Sequence, residues 1–143
     1  MHTRIIEHNS DDYNQMIQLR LSQLLEPIGV PESYINKENE KSDFLIGAFE
    51  RDDMIGCCIL TPIDDNVIQL RQMAVRSNYR GKGIGAAIIE FAEQVAKENK
   101  FSLLMMHARD PVIEFYTKCG YEIYGEQFFE VGIGHHKMQK QLS

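Results

Sequence analysis

Apolar residues at Ile84, Ile88, Phe91 and Val95 alternate at helical spacing with Glu90, Glu93, Gln94 and Lys97, which predicts an amphipathic helix over 84–97. The same period recurs at Tyr13, Met16, Ile17, Leu21, Leu24 and Leu25. Ser10 and Asp11 offer capping oxygens ahead of that run, and Pro27 with Gly29 ends it. Strand-like segments cover 3–8, then 44–49, 54–61 and 67–75. The turn signals RDD and PIDDN between the last three predict an antiparallel meander. Polar, acidic residues fill 31–41, a short helix or loop. FSLLMM at 101–106 is almost continuously apolar and reads as a strand buried on both faces.

Strand, helix and buried strand from 67 to 106 make a βαβ unit, with parallel strands and a right-handed crossover. Beyond it, Asp110 is a candidate cap with Pro111 at the first helical position, and Gly120 stands where such a helix would end. This second helix is expected to turn Val112, Phe115 and Cys119 inward. Strands over 121–128 and 135–142 close the chain. The fold class is α/β (α+β), a mixed, mostly antiparallel central sheet with one parallel crossover and flanking helices.

Composition narrows the function rather than the fold. The 143 residues, 43% hydrophobic, suit one domain over 1–143, with no repeat or linker. A formal net charge of −6 argues against a nucleic-acid partner and fits small or cationic ones. Cys57, Cys58 and Cys119 form no CxxC pair and read as reduced thiols of a cytoplasmic protein. The first residues hold no apolar signal core, and no run approaches the ~20 apolar residues of a membrane helix.

The chemistry gathers at YRGKGIGAA, 79–87. A strand, a loop with Gly81, Gly83 and Gly85, and then a helix N-terminus form an anion site. The first helical amides lack internal partners, the helix dipole adds partial positive charge, and missing β-carbons let an oxyanion approach. Arg80 and Lys82 add charge. The spacing is neither GxxxxGK[ST] nor a dinucleotide GxGxxG pressed against a strand end.

Arg80-Gly81-Lys82-Gly83-Ile84-Gly85-Ala86 resembles instead the Gln/Arg-x-x-Gly-x-Gly/Ala pyrophosphate motif of the GNAT N-acetyltransferase superfamily. EFYTKCGYE at 114–122 is similar to that family's FYxKxGF segment. FFEVGIGHHKM at 128–138 resembles the tail of its small ElaA-like or YjcF-like bacterial subgroup. The resemblance implies acetyl-CoA bound where two parallel strands splay, here those ending near Val75 and His107. It places pantetheine against Met73, Ala74 and Val75, and pyrophosphate on Arg80 to Ala86. Many relatives carry Asn where this chain has Arg109, so an Asn contact does not transfer, although Arg109 is within reach of a phosphate. Family members are often dimers, so a homodimer is compatible with the resemblance.

The implied reaction is direct attack of a small amine on the thioester. A main-chain N–H near Met73 or Ala74 would meet the oxyanion. Tyr116 matches the family tyrosine that donates to the departing thiolate; a phenol near pKa ~10 gives its proton to a thiolate of ~8.5 slightly uphill. A glutamate base found on the preceding strand of some relatives is absent, since Gln69, Arg71 and Gln72 stand there. Glu130 and His135 are the substitutes, as catalytic groups or, equally, as structural hydrogen-bonding ones. His136 faces the opposite way on a strand, and His107 reads as a satisfied core histidine. Arg71 holds either an acidic group or a structural ion pair. No spacing supports a metal. A non-catalytic acyl-CoA sensor of the same fold is the competing reading.

Overall fold

The computed structural model describes residues 1–142. Its seven strands are β1 (His2–Ile6), β2 (Phe44–Glu50), β3 (Asp53–Pro62), β4 (Val67–Val75), β5 (Leu103–Arg109), β6 (Glu122–Glu130) and β7 (Ile133–Gln141). They form one sheet in the order β1-β2-β3-β4-β5-β7-β6. Only β4 and β5 run parallel; every other pair is antiparallel. Helix α2 (Ile84–Glu98) makes the crossover between the parallel strands, as the periodicity predicts.

Each face of the sheet carries its own apolar layer. Helix α1 (Asp11–Arg20) places Tyr13, Met16 and Ile17 against Leu45, Phe49, Cys57 and Ile59. On the other face α2 buries Ile84, Ile88, Ile89, Ala92, Val95 and Ala96 against Ile46, Cys58, Leu60, Leu70, Leu104 and Met106. Alternation along β2 to β4 therefore sends apolar side chains to both faces. The expected caps appear where they have a partner: Ser10 Oγ accepts from Tyr13 N at 3.2 Å, and Gly120 adopts φ 97° just past α3 (Ile113–Lys118).

Several expectations shift. The first helix leaves α geometry at Leu21, continues as a π turn over Leu21–Leu25, and tightens to 3₁₀ over Glu26–Ile28 before Gly29 stops it. The first strand ends at Ile6 rather than residue 8, and the buried strand starts at Leu103 rather than 101. Asp110 does not cap the last helix. Residues Asp110–Val112 form a 3₁₀ turn, and the Asp110 carboxylate accepts from Gln127 Nε2 and pairs with His136 Nδ1 across the sheet. Helix α3 with its C-cap turns Phe115 and Cys119 inward as expected and buries Tyr116 as well, while Val112, held in the 3₁₀ turn, is exposed.

Buried polarity is concentrated beneath the cleft. Arg20 grips Glu40 with two hydrogen bonds of 2.8 Å, and Tyr13 Oη donates to Glu40 at 2.6 Å. Both charged residues are nearly inaccessible, at 1% and 3% exposure. Burial pushes the Glu40 carboxyl up, yet hydrogen bonds from Arg20 and Tyr13 outweigh it and hold it below its ordinary value.

Candidate functional site

The parallel pairing of β4 with β5 lasts only from 67–70 against 103–106. Beyond it, residues 71–75 and 107–109 no longer pair, and the gap becomes a cleft of about 1030 Å³. The β5-facing peptide groups of 71–75 thus stand without a strand partner, open to an extended ligand. A bulge adds to this: Gln72 and Met73 together oppose Cys58 of β3, and Gln72 takes φ 55°. Two contacts hold the Gln72 bulge, with Arg20 Nε donating to its Oε1 at 3.4 Å and Cys57 Sγ to its carbonyl at 3.6 Å.

At one end of the cleft lies the glycine loop. Gly81 and Gly83 take φ of 77° and 80°, and a Cβ on either would meet nothing within 4 Å. Glycine is needed there for the left-handed backbone, and the space beside it is open. Gly83 also occupies the N-cap of α2 without any side-chain capping bond, so the first amides of this fifteen-residue helix remain available to an anion. Gly85 has a different reason: a Cβ there would stand 3.0 Å from the Phe115 ring. It is a packing glycine that lets α2 and α3 approach. The loop thus fits a pyrophosphate by its open backbone, two glycines making the cradle and the third seating the helix.

Met73, Ala74, Val75, Arg80, Gly81, Gly83, Ile84, Gly85, Ala86, Arg109 and Tyr116 all line this cleft, as do Glu130 and His135. Lys82 does not; its Nζ stands over the Tyr79 ring, 5.3 Å from the centroid. Arg80 donates to Gln23 Oε1 at 2.8 Å, and Arg109 to the Leu24 carbonyl at 3.3 Å. The π turn after α1 therefore forms part of the wall. Sequence reasoning missed this contribution, since helical periodicity gives no sign of where a helix end docks.

Tyr116 is buried, with its ring edge-on to Phe115 and Tyr121. Burial first, and the neighbouring Cys58 and Cys119 sulfurs next, raise its pKa well above the ordinary phenol value. The hydroxyl stays protonated and is a hydrogen-bond donor rather than a ready acid. Burial likewise pushes the Cys57 thiol up to about 12 and that of Cys58 well above its ordinary value. Neither thiol lines the cleft, so no activated cysteine stands there as a nucleophile.

Opposite the loop, three strands bring His107, Glu130 and His135 together. Glu130 Oε1 lies 2.5 Å from His107 Nδ1. His107 meets Phe128 edge-on, and Phe128 stacks on His135, whose Nδ1 donates to the Ile133 carbonyl at 2.7 Å. His107 is thus satisfied by a cleft carboxylate rather than by the core. His136 points to the other face and pairs with Asp110. Arg71 is held structurally: it donates to Thr61 Oγ1 at 3.3 Å and lies 3.8 Å from Asp43. A smaller recess of about 200 Å³ adjoins the cleft through Tyr34, Arg71 and Gln72. Among the described residues no His, Cys, Asp and Glu side chains cluster as a metal site, and no helix is long and apolar enough to cross a membrane.

The model of the acetyltransferase (GNAT) family matches residues 10–121, and the chain belongs to that family. It is 27% identical over 139 residues to a Bacillus subtilis (strain 168) protein described as a putative acetyltransferase, covering 93% of this chain and 92% of that one. It is 32% identical over 75 residues to the uncharacterized protein YyaT of the same organism, covering 52% of this chain but only 51% of YyaT. The Escherichia coli ElaA crystal structure superposes with a TM-score of 0.84 at 15% identity, covering 98% of this chain and 99% of that one. An acetyl-CoA-bound GNAT acetyltransferase of Elizabethkingia anophelis gives 0.73 at 21% identity, covering 99% and 97%. These likenesses show the fold.

Proposed function

We propose that this chain is a single-domain, acetyl-CoA-dependent N-acetyltransferase that acts on a small amine by direct attack within a ternary complex. The observation that carries the reading is the unpaired stretch 71–75 ending in the open glycine loop, a continuous backbone track within one cleft. Peptide groups of Met73 to Val75 would hold pantetheine as an added strand, and the amides of 81–86 would hold pyrophosphate. Arg80 and Arg109 would add charge at its ends, and Lys82 would attract it from the outer side of the loop. Bound there, the cofactor supplies an activated acetyl thioester. The family resemblance and the acetyl-CoA-bound relative support that choice.

A main-chain N–H near Met73 or Ala74, beside the Gln72 bulge, would meet the oxyanion, and the Tyr116 hydroxyl would donate a hydrogen bond to the departing sulfur. Glu130 and His135 line the acceptor side of the cleft, where the attacking amine's proton must be taken up. The acidic stretch at 32–43 borders the recess through Glu40, whose charge is already matched by Arg20. Calorimetric titration with acetyl-CoA should show saturable 1:1 binding, and a panel of primary amines should release thiol. No heat at millimolar cofactor overturns the reading; binding without thiol release across the panel favours an acyl-CoA sensor instead.

A further inference from the structure

We propose that His107 Nε2 accepts the proton lost by the attacking amine, with Glu130 positioning the ring and balancing its charge. The proposal rests on the acetyl-transfer reading and assigns the base that the glycine loop and Tyr116 leave open. His107 lies on β5 just past the last residue paired with β4, at the point where the cleft begins. Its side chain is 29% exposed, so it meets the cleft rather than the core. One ring nitrogen, Nδ1, is engaged by Glu130 Oε1, and the edge-on Phe128 ring fixes the plane. With the Nδ1 proton on the carboxylate side, the lone pair is at Nε2, across the ring.

Residues of three strands share this face through their register. His107 lies opposite Lys137, Arg109 opposite His135, and His135 in turn opposite Phe128, two residues before Glu130. The titratable and charged groups around His107 are therefore Glu130, His135, Lys137 and Arg109, with Tyr116 and Arg71 elsewhere in the cleft wall. Among them, two imidazoles compete for the role. His135 gives its Nδ1–H to a neutral carbonyl and is 4% exposed, and the carboxylate near it, Asp110, is already hydrogen-bonded to His136 and Gln127. His107 has a carboxylate in contact. A base must be reachable and hold the charge it takes up, and His107, 29% exposed and in contact with Glu130, is built for both.

The chemistry also sets when the proton moves. A free alkylammonium at pKa ~10 is too weak an acid for an imidazole near ~6.5 to deprotonate efficiently. Once the neutral amine forms the N–C bond, the nitrogen becomes cationic and far more acidic, and its proton passes to Nε2. The carbonyl π pair rests on oxygen and then returns as the C–S bond breaks. The thiolate, held by the Tyr116 hydroxyl, takes a proton from solvent while His107 returns one. Amine and acetyl thioester become acetamide and thiol, with protons balanced.

The test uses thiol release from acetyl-CoA with benzylamine as the probe acceptor, alongside calorimetric acetyl-CoA binding. His107→Asn should lower kcat about a hundredfold while the acetyl-CoA Kd stays within about twofold. In the wild type, the pH profile of kcat/KM should show a second break on the acid side, added to the acceptor's own ionisation. That break should vanish in His107→Asn and move to lower pH in Glu130→Gln, a displacement that lost packing alone does not cause. His135→Asn should retain it, as should the control His136→Asn. An unmoved break in Glu130→Gln, wild-type kcat in His107→Asn, or wild-type cofactor binding without any thiol release overturns the proposal. Failure of the wild type to bind acetyl-CoA overturns the parent reading instead.

Discussion

The two ends of the cleft are built in opposite ways. The glycine-loop end is local: strand end, loop and helix start follow one another within 73–86, and in the proposed reading backbone amides would do the recognition. The other end is assembled from β5, β6 and β7, with His107, Glu130 and His135 brought together by sheet register. A backbone cradle tolerates side-chain drift as long as its glycines remain. A side-chain cluster depends on every strand keeping its register, since a slip of one residue would turn each group to the opposite face. The difference teaches where each end is vulnerable, and it can be broken or sharpened by experiment.

The largest effect is expected beneath both ends. Glu40→Gln leaves the Arg20 charge buried without its partner and should reduce unfolding stability by about 3–5 kcal/mol. Denaturant unfolding at pH 7 would measure this. The Glu40 carboxyl is held below its ordinary value in the folded state. Its contribution is therefore fully present above the unfolded pKa of ~4.3 and is lost as pH falls through the lowered folded value. The gap between wild type and variant should accordingly close in acid. An equal gap at pH 7 and pH 2 would contradict this linkage.

Next in size is Tyr116→Phe. If the hydroxyl acts on the sulfur while backbone holds the cofactor, turnover should fall by about a hundredfold with little change in acetyl-CoA affinity. Unchanged turnover would remove Tyr116 from the chemistry. A parallel loss of affinity would instead make it part of the donor cradle and blur the distinction between the two ends.

The smallest effect sharpens the division from the loop side. Gly83→Ala places a β-carbon on a residue at φ 80° and costs about 1–2 kcal/mol of conformational strain. Relief of that strain by moving the loop should weaken acetyl-CoA binding by roughly tenfold. Turnover at saturating cofactor should remain near wild type. A fall in turnover at unchanged affinity would show that the loop also controls the reacting end.

Periodicity and turn chemistry determined the order of elements, the parallel crossover and the location of the open glycine loop. These features depend on residues close in sequence, where spacing translates directly into one face of a helix or one end of a strand. The same logic ended at Asp110, whose capping oxygen found better partners in Gln127 and His136 once β6 and β7 were beside it. It also could not separate Gly85, which makes room for Phe115, from Gly81 and Gly83, which shape the cradle. Tertiary structure alone decided that His107 meets Glu130, that Arg20 neutralises Glu40, and that the π turn after α1 closes the cleft. Those pairings join residues up to 85 positions apart, as in the contact of Arg109 with Leu24. Sequence spacing carries no distance at that range, because only sheet order and register bring such groups within a hydrogen bond.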